Sequence, residues 1–150
     1  MNTDEDKLNA LSGAIIGLAF KVHNVLGRGF AEKVYENALV HELQKAGLQV
    51  SQQHPVPVFY DGVRVGDYVA DLIVERTVLV EIKAARTFDD SHIAQCLNYL
   101  VCTRLPLCLL MNFTQRVEIK RIRGPRHEDL PQSQTSWKTA RRPSLLTDGN

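Results

Sequence analysis

The sequence predicts an α/β domain in which helices flank a mixed central β-sheet. Three observations carry this. Apolar residues recur at helical spacing through the first third of the chain; residues 50–83 then switch to period-two and continuous apolar runs; one more helical segment separates that block from two later strands. A chain of 150 residues suits one domain with one hydrophobic core.

The first helix is expected over Leu8 to Leu26, where Leu8, Leu11, Ile15, Leu18, Phe20, Val22 and Val25 recur at roughly helical intervals. Asp4, Glu5 and Asp6 stand where a helix N-terminus favours negative charge. Gly27-Arg28-Gly29 breaks the pattern. A second helix runs from near Phe30 to about Lys45 with Val34, Ala38, Leu39 and Leu43 as its stripe, and Gly47 is placed to stop it.

Val50, Val56, Val58 and Tyr60 then alternate with polar or small residues up to Asp61-Gly62, a strong two-residue hairpin signal. The return strand passes through Val63 and Val65 into Tyr68–Val74. Glu75-Arg76-Thr77 turns the chain into a third strand, Val78–Lys83. Runs this apolar on both faces belong in the middle of a sheet covered on both sides. Asp89 or Asp90 caps a third helix from about Ser91 to Arg104. Pro106–Phe113 reads as another buried strand and Val117–Ile122 as an edge strand. The domain is thus expected over residues 1–123. Residues 124–150, rich in Pro, Ser and Gln, read as a flexible basic C-terminal tail, with Trp137 and Leu145-Leu146 exposed or loosely held.

Composition narrows the function classes. Hydrophobic residues at 44% and charged residues at 23% argue against a largely disordered chain. No apolar run is long enough to span a membrane. The acidic N-terminus is unlike a secretory signal, so a cytoplasmic location is expected. Cys96, Cys102 and Cys108 lie in or near apolar runs and lack zinc or redox spacing; they are read as buried, reduced thiols. Residues 1–112 hold 10 Lys/Arg and 13 Asp/Glu, whereas residues 113–150 hold 8 and 4. The basic end either meets phosphates or is a solvated tail.

The sharpest signal is a set of charges inside apolar runs. Asp71 interrupts Tyr68–Val74, while Glu81 and Lys83 interrupt Val78–Lys83. Strand alternation puts Glu81 and Lys83 on one face, and the turn at 75–77 brings Asp71 beside them. Burying one unpaired charge costs several kcal/mol, roughly, even after relaxation. These residues are therefore either a structural ion-pair network or a working site. Two acids with one lysine leave surplus negative charge, which a hard divalent cation neutralises; carboxylates and a backbone carbonyl suit Mg²⁺ or Mn²⁺ better than zinc. Lys83 beside such a cation could orient and help deprotonate a water, or stabilise charge at a phosphoryl centre. Metal-assisted phosphodiester hydrolysis is the matching chemistry.

Asp71-x9-Glu81-Ile82-Lys83 resembles the D…E-x-K signature of the PD-(D/E)XK nuclease superfamily. Gly29-Phe-Ala-Glu32-Lys-Val-Tyr35 resembles the signature of its GxxExxY branch. Pro55-Val-Pro-Val, Gly66-Asp-Tyr68-Val-Ala-Asp71, Val80-Glu-Ile-Lys-Ala84 and His92-x-Ala-Gln95-x-x-x-Tyr99-Leu extend the likeness over about Leu8 to Ile122. Ala70 stands where the superfamily often has proline, which supplies no ligand.

The resemblance implies a restriction-endonuclease-like core. It also implies roles: Asp71, Glu81 and the Ile82 carbonyl as metal ligands, and Lys83 as the catalytic lysine. Glu32 matches a helical glutamate that approaches the metal, although its place in the first turn also fits an N-terminal structural role. Gln95 and Tyr99 share a helix face and resemble the Q-x-x-x-Y motif of RecB-like nucleases, with Gln95 in the catalytic set and Tyr99 toward nucleic acid. His92 either reaches a phosphate or caps its helix, and Tyr35 either meets nucleic acid or packs. The expected function is Mg²⁺- or Mn²⁺-dependent hydrolysis of nucleic acid, DNA first. The alternative is a catalytically inactive nucleic-acid-binding or assembly module, including a structural homodimer, on the same fold.

Overall fold

A computed structural model of the chain describes residues 3–125. Helices α1 (Thr3–Leu26) and α2 (Glu32–Lys45) precede a long hairpin of β1 (Val50–Tyr60) and β2 (Val63–Val74). Strand β3 (Val78–Lys83), helix α3 (Asp90–Thr103) and strands β4 (Leu107–Phe113) and β5 (Val117–Arg123) follow. The sheet order is β1-β2-β3-β4-β5. Only β3 and β4 are parallel, because α3 carries the chain back across the sheet between them.

Helix α1 buries Leu8, Ser12, Ile15, Ala19 and Val22, stepping by four and three along one face. Phe20 and Val25, counted in the apolar set from sequence, lie off this stripe and are 45% and 77% exposed. Helix α2 buries Tyr35, Glu36, Leu39 and Leu43, while Val34 is exposed. Its inward face is therefore turned from the one read in the sequence, and it includes a carboxylate.

The hairpin turn forms at Asp61 and Gly62, with φ of 52° and 74°, the paired positive values that a two-residue primed turn requires. Pro55 and Pro57 leave β1 without two backbone donors, which suits its place at the sheet edge. The inner half of β2 is buried, but Tyr68 and Val69 are exposed. They precede the short stretch over which β2 pairs with β3, so the hairpin projects past the covered part of the sheet.

Helices cover both faces, as expected. On one, α1 and α2 pack through Ile15, Leu39 and Leu43 against Leu72, Val80, Leu109 and Met111. On the other, α3 packs Cys96, Tyr99 and Leu100 against Leu79, Cys108 and Leu110. All seven residues of β4 are buried between them. The three cysteines are free and buried. Asp89 caps α3: its Oδ1 accepts from the Ser91 and His92 amides at 2.9 and 3.2 Å.

Beyond β5 the chain still touches the domain. Gly124 N–H donates to the Pro106 carbonyl at 3.0 Å, and a Cβ there would come within 2.5 Å of the Leu105 carbonyl oxygen, so only glycine fits. The expected tail, with Trp137 and Leu145-Leu146, falls outside the described residues from 126 onward. No helix among the described residues is long and apolar enough to cross a membrane.

Candidate active site

The site opens where the β2–β3 ladder ends. Those strands pair through Leu72–Val80, Ile73–Leu79 and Val74–Val78. One residue further, carboxylates take over from the ladder. The Asp71 N–H donates to Glu81 Oε2 at 2.9 Å, and the Ile82 N–H donates to Asp71 Oδ2 at 2.8 Å. An extended residue points its N–H and C=O toward the same neighbouring strand, so the Ile82 carbonyl faces this opening too. Glu81 is buried, Asp71 and Lys83 half-buried. Glu81 and Lys83 share the face of Leu79, which packs toward α3.

The electrostatics are those of crowded acids. Burial, and then the Asp71 charge, push the Glu81 carboxyl up to about 8. Asp71 is also raised, chiefly by burial and further by Glu36, against the opposing hydrogen bonds from Ile82 and Gln53. The Lys83 ammonium draws both acids down, but less than burial raises them. Lys83 takes part in no salt bridge among the described residues. With both carboxyls ionised the opening would carry more negative charge than its lysine balances, and the raised Glu81 carboxyl relieves that excess by holding a proton.

Two neighbours were not read from the sequence. Glu36, on the buried face of α2, accepts at Oε2 from Lys33 Nζ at 3.0 Å, Gln52 Nε2 at 2.7 Å and Gln53 Nε2 at 3.0 Å. Gln53 also donates to Asp71 Oδ1 at 3.3 Å, linking the helix to the site. Its φ of 53° is a left-handed conformation inside a strand, between Gln52 and His54, which pair with Leu72 and Ala70 on either side of Asp71. Such strain persists where surrounding contacts hold it. A carboxylate in step with Leu39 and Leu43 was the available signal for Glu36; nothing in the sequence marks the Gln53 backbone.

The remaining expected site residues are distributed as follows. Glu32, at the exposed start of α2, accepts from the Ala84 N–H at 3.3 Å, on the backbone just beyond Lys83. Gln95 Nε2 donates to the Tyr99 hydroxyl at 3.0 Å, which donates to the Val69 carbonyl at 3.2 Å. Burial and the Glu81 charge push the Tyr99 phenol up to about 12, keeping it a protonated donor. Its ring is buried, so it braces β2 rather than facing solvent. His92 Nδ1 accepts from the Asp89 N–H at 3.4 Å, the capping reading. Tyr35 has no exposed surface; it stacks on Phe113 at 4.7 Å, the packing reading.

Among the described residues no three or more His, Cys, Asp and Glu side chains are gathered as a metal-binding group. Glu32 is thus not brought together with Asp71 and Glu81 as a third carboxylate ligand. What remains is a smaller, oxygen-only donor set of two carboxyl groups and one carbonyl, in which a cation would take the place of the proton that burial holds on Glu81. That chemistry fits a hard divalent cation completed by water or a phosphate oxygen.

A family model described as the PD-(D/E)XK nuclease superfamily matches residues 9–122. The crystal structure of SSO0001 is similar at 20% identity and a TM-score of 0.50, with 64% of this chain and 51% of that chain covered. This chain therefore spans about half the length of that protein. An alkaline exonuclease (LHK-Exo) from Laribacter hongkongensis aligns at 15% identity and a TM-score of 0.43, with 71% of this chain and 76% of that chain covered. At this identity the likeness to SSO0001 concerns the fold alone. No curated protein matches the chain.

Proposed function

The chain belongs to the PD-(D/E)XK nuclease superfamily, and we propose that it hydrolyses phosphodiester bonds of DNA with Mg²⁺ or Mn²⁺ held by Asp71, Glu81 and the Ile82 carbonyl. Within the superfamily we assign it to the GxxExxY branch through Gly29, Glu32 and Tyr35. The observation that carries the reading is the reciprocal bonding of Asp71 and Glu81 at the end of the β2–β3 ladder. It fixes two carboxyl groups that repel when both are ionised, with no lysine salt bridge to either among the described residues.

When bound, a divalent cation supplies Lewis acidity toward a phosphoryl oxygen and charge neutralisation at the reacting centre. The chain's own residues do the rest. The Ile82 and Asp71 amides aim the two carboxylates at the opening. Lys83, half-buried on the Glu81 face and in no salt bridge among the described residues, orients the attacking water and meets negative charge developing at phosphorus. Gln95 and Tyr99 brace β2 at Val69, two residues before Asp71. Glu36 and Gln53 hold Asp71 from the other side, the outer support that metal-ligating carboxylates use.

The test is cleavage of single-stranded, duplex and branched DNA in Mg²⁺ and Mn²⁺, beside Lys83→Ala and an EDTA control. Activity is expected for the wild type only, and only with metal. Cleavage that persists in EDTA, or equal cleavage by Lys83→Ala, overturns the proposal.

A further inference from the structure

At the end of β3 that carries Lys83 lies an open cleft of about 990 Å³, walled by three separate connections. One is the α1–α2 link with Arg28, one the segment after β3 with Arg86, and one the β4–β5 turn with Arg116. The cleft reaches the chain just past β3: Ala84 lines it, follows Lys83 directly and donates its N–H to Glu32. Resting on the nuclease reading, we propose that Arg28, Arg86 and Arg116 form a cradle that grips the phosphates of a nucleic-acid strand leading into the Asp71–Glu81 site.

Charge is the first reason. The cleft collects three guanidinium groups against one carboxylate, Glu118. All three arginines are exposed, and none forms a salt bridge or side-chain hydrogen bond among the described residues. Arg64, Arg121 and Arg123, by contrast, are engaged with Asp67, Ser12 and Glu5. A free guanidinium presents a planar fork of donors that matches phosphate oxygens.

Preorganisation is the second. Each arginine-bearing connection is pinned by one inward side chain. The Tyr35 hydroxyl donates to the Gly27 carbonyl at 2.7 Å and accepts from the Phe30 N–H at 3.3 Å, fixing the link on both sides of Arg28. Fully buried Asn112 clamps Ala85 with two bonds, accepting its N–H at 2.9 Å and donating to its carbonyl at 2.8 Å, directly before Arg86. The His23 ring donates through Nε2 to the Thr114 carbonyl at 2.7 Å, and the Thr114 N–H donates to the Arg116 carbonyl at 3.2 Å. Fixed backbone beneath three long side chains lowers the ordering cost of gripping a charged strand. Buried polar residues that would otherwise be unexplained, Asn112 above all, thereby acquire a role.

The test measures binding of a fluorescein-labelled DNA oligonucleotide, single-stranded and duplex, by anisotropy in EDTA across a range of salt. Each phosphate contact contributes about 0.7–0.9 to the slope of log K against log salt. Replacing Arg28, Arg86 and Arg116 together by Gln should lower that slope by about 2–3, with each single substitution giving about a third of the effect. Arg76→Gln, on the β2–β3 turn at the other end of the sheet, should leave it unchanged, and the triple Arg→Lys variant should restore most of it. In cleavage, the Gln variants should raise KM more than they lower kcat. A wild type that does not bind, or a triple variant with the wild-type slope, overturns the cradle while leaving metal-dependent cleavage to stand or fall separately. Loss of slope in a protein that cleaves nothing would keep the cradle and sink the nuclease reading.

Discussion

Asp71 and Glu81 each bond the other's strand: the Asp71 N–H meets Glu81 Oε2 at 2.9 Å, and Asp71 Oδ2 accepts the Ile82 N–H at 2.8 Å. Backbone donors thus hold two carboxylates where their charges repel. A cation between them would relieve that repulsion.

Glu81→Gln should abolish metal-dependent hydrolysis while leaving the fold intact. The amide oxygen can still accept the Asp71 N–H, and the repulsion with Asp71 disappears. The loss should exceed the ~10–100-fold typical of removing an outer support of a metal ligand. Cleavage rates and melting temperatures of one preparation check both halves; a fold that collapses would mean the Glu81 charge is structural.

Stability should fall with rising pH in the absence of metal, because of the same pair. The Glu81 carboxyl lies at about 8 in the fold, above its ordinary 4.5. A raised folded-state value gives stability that is complete below about 4.5 and is lost as pH climbs through about 8. Asp71, also raised, acts in the same direction. Melting temperatures of wild type and Glu81→Gln from pH 5 to 9 in EDTA should diverge toward high pH. Adding Mn²⁺ should lift the wild type most at the alkaline end, where the ion no longer has to displace a proton. Parallel curves for the two proteins would remove this account of Glu81.

Local periodicity made much of this readable from the sequence. Alternation along β3 puts Glu81 and Lys83 on one face, and the turn after Val74 places Asp71 beside them, so three charges in apolar runs were visible without coordinates. Asp61-Gly62 announced its hairpin by the φ values it tolerates. What stayed hidden depends on contacts between distant segments. The inward face of α2 is set by how α1 and the sheet meet it, and that rotation buries Glu36 while leaving Val34 and Glu32 exposed. The Gln53 kink has no composition signal, and Arg28, Arg86 and Arg116 are scattered until the fold gathers them.

Gln53→Ala should slow turnover by about 10–100-fold, in line with loss of an outer partner of a metal ligand. The amide donates to both Glu36 and Asp71, and its bond to Asp71 holds that carboxyl down. Without it the Asp71 carboxyl should rise further, and the acid limb of the pH–rate profile should move to higher pH. Gln53→Gly separates the two features of this position: it relieves the left-handed backbone yet removes the same amide, so its stability should exceed that of Gln53→Ala while its activity matches it. A pH profile unchanged in both variants would reduce Gln53 to a feature of the strand alone.

Lys83→Ala distinguishes a working site from a buried ion-pair network. Were Lys83 the partner that makes the two acids tolerable, its removal would leave uncompensated carboxylates and cost about 3–5 kcal/mol. The geometry argues otherwise, since Lys83 forms no salt bridge among the described residues and the acids are held by amides from the backbone. The acids would lose only a weak favourable influence, and at neutral pH Glu81 answers by keeping its proton. Lys83→Ala should therefore melt within a few degrees of the wild type, bind DNA with nearly the same salt slope, and fail to turn over. A melting temperature far below that of the wild type, in a protein whose wild type shows no cleavage in Mg²⁺ or Mn²⁺, would assign the acids and the lysine to structure instead.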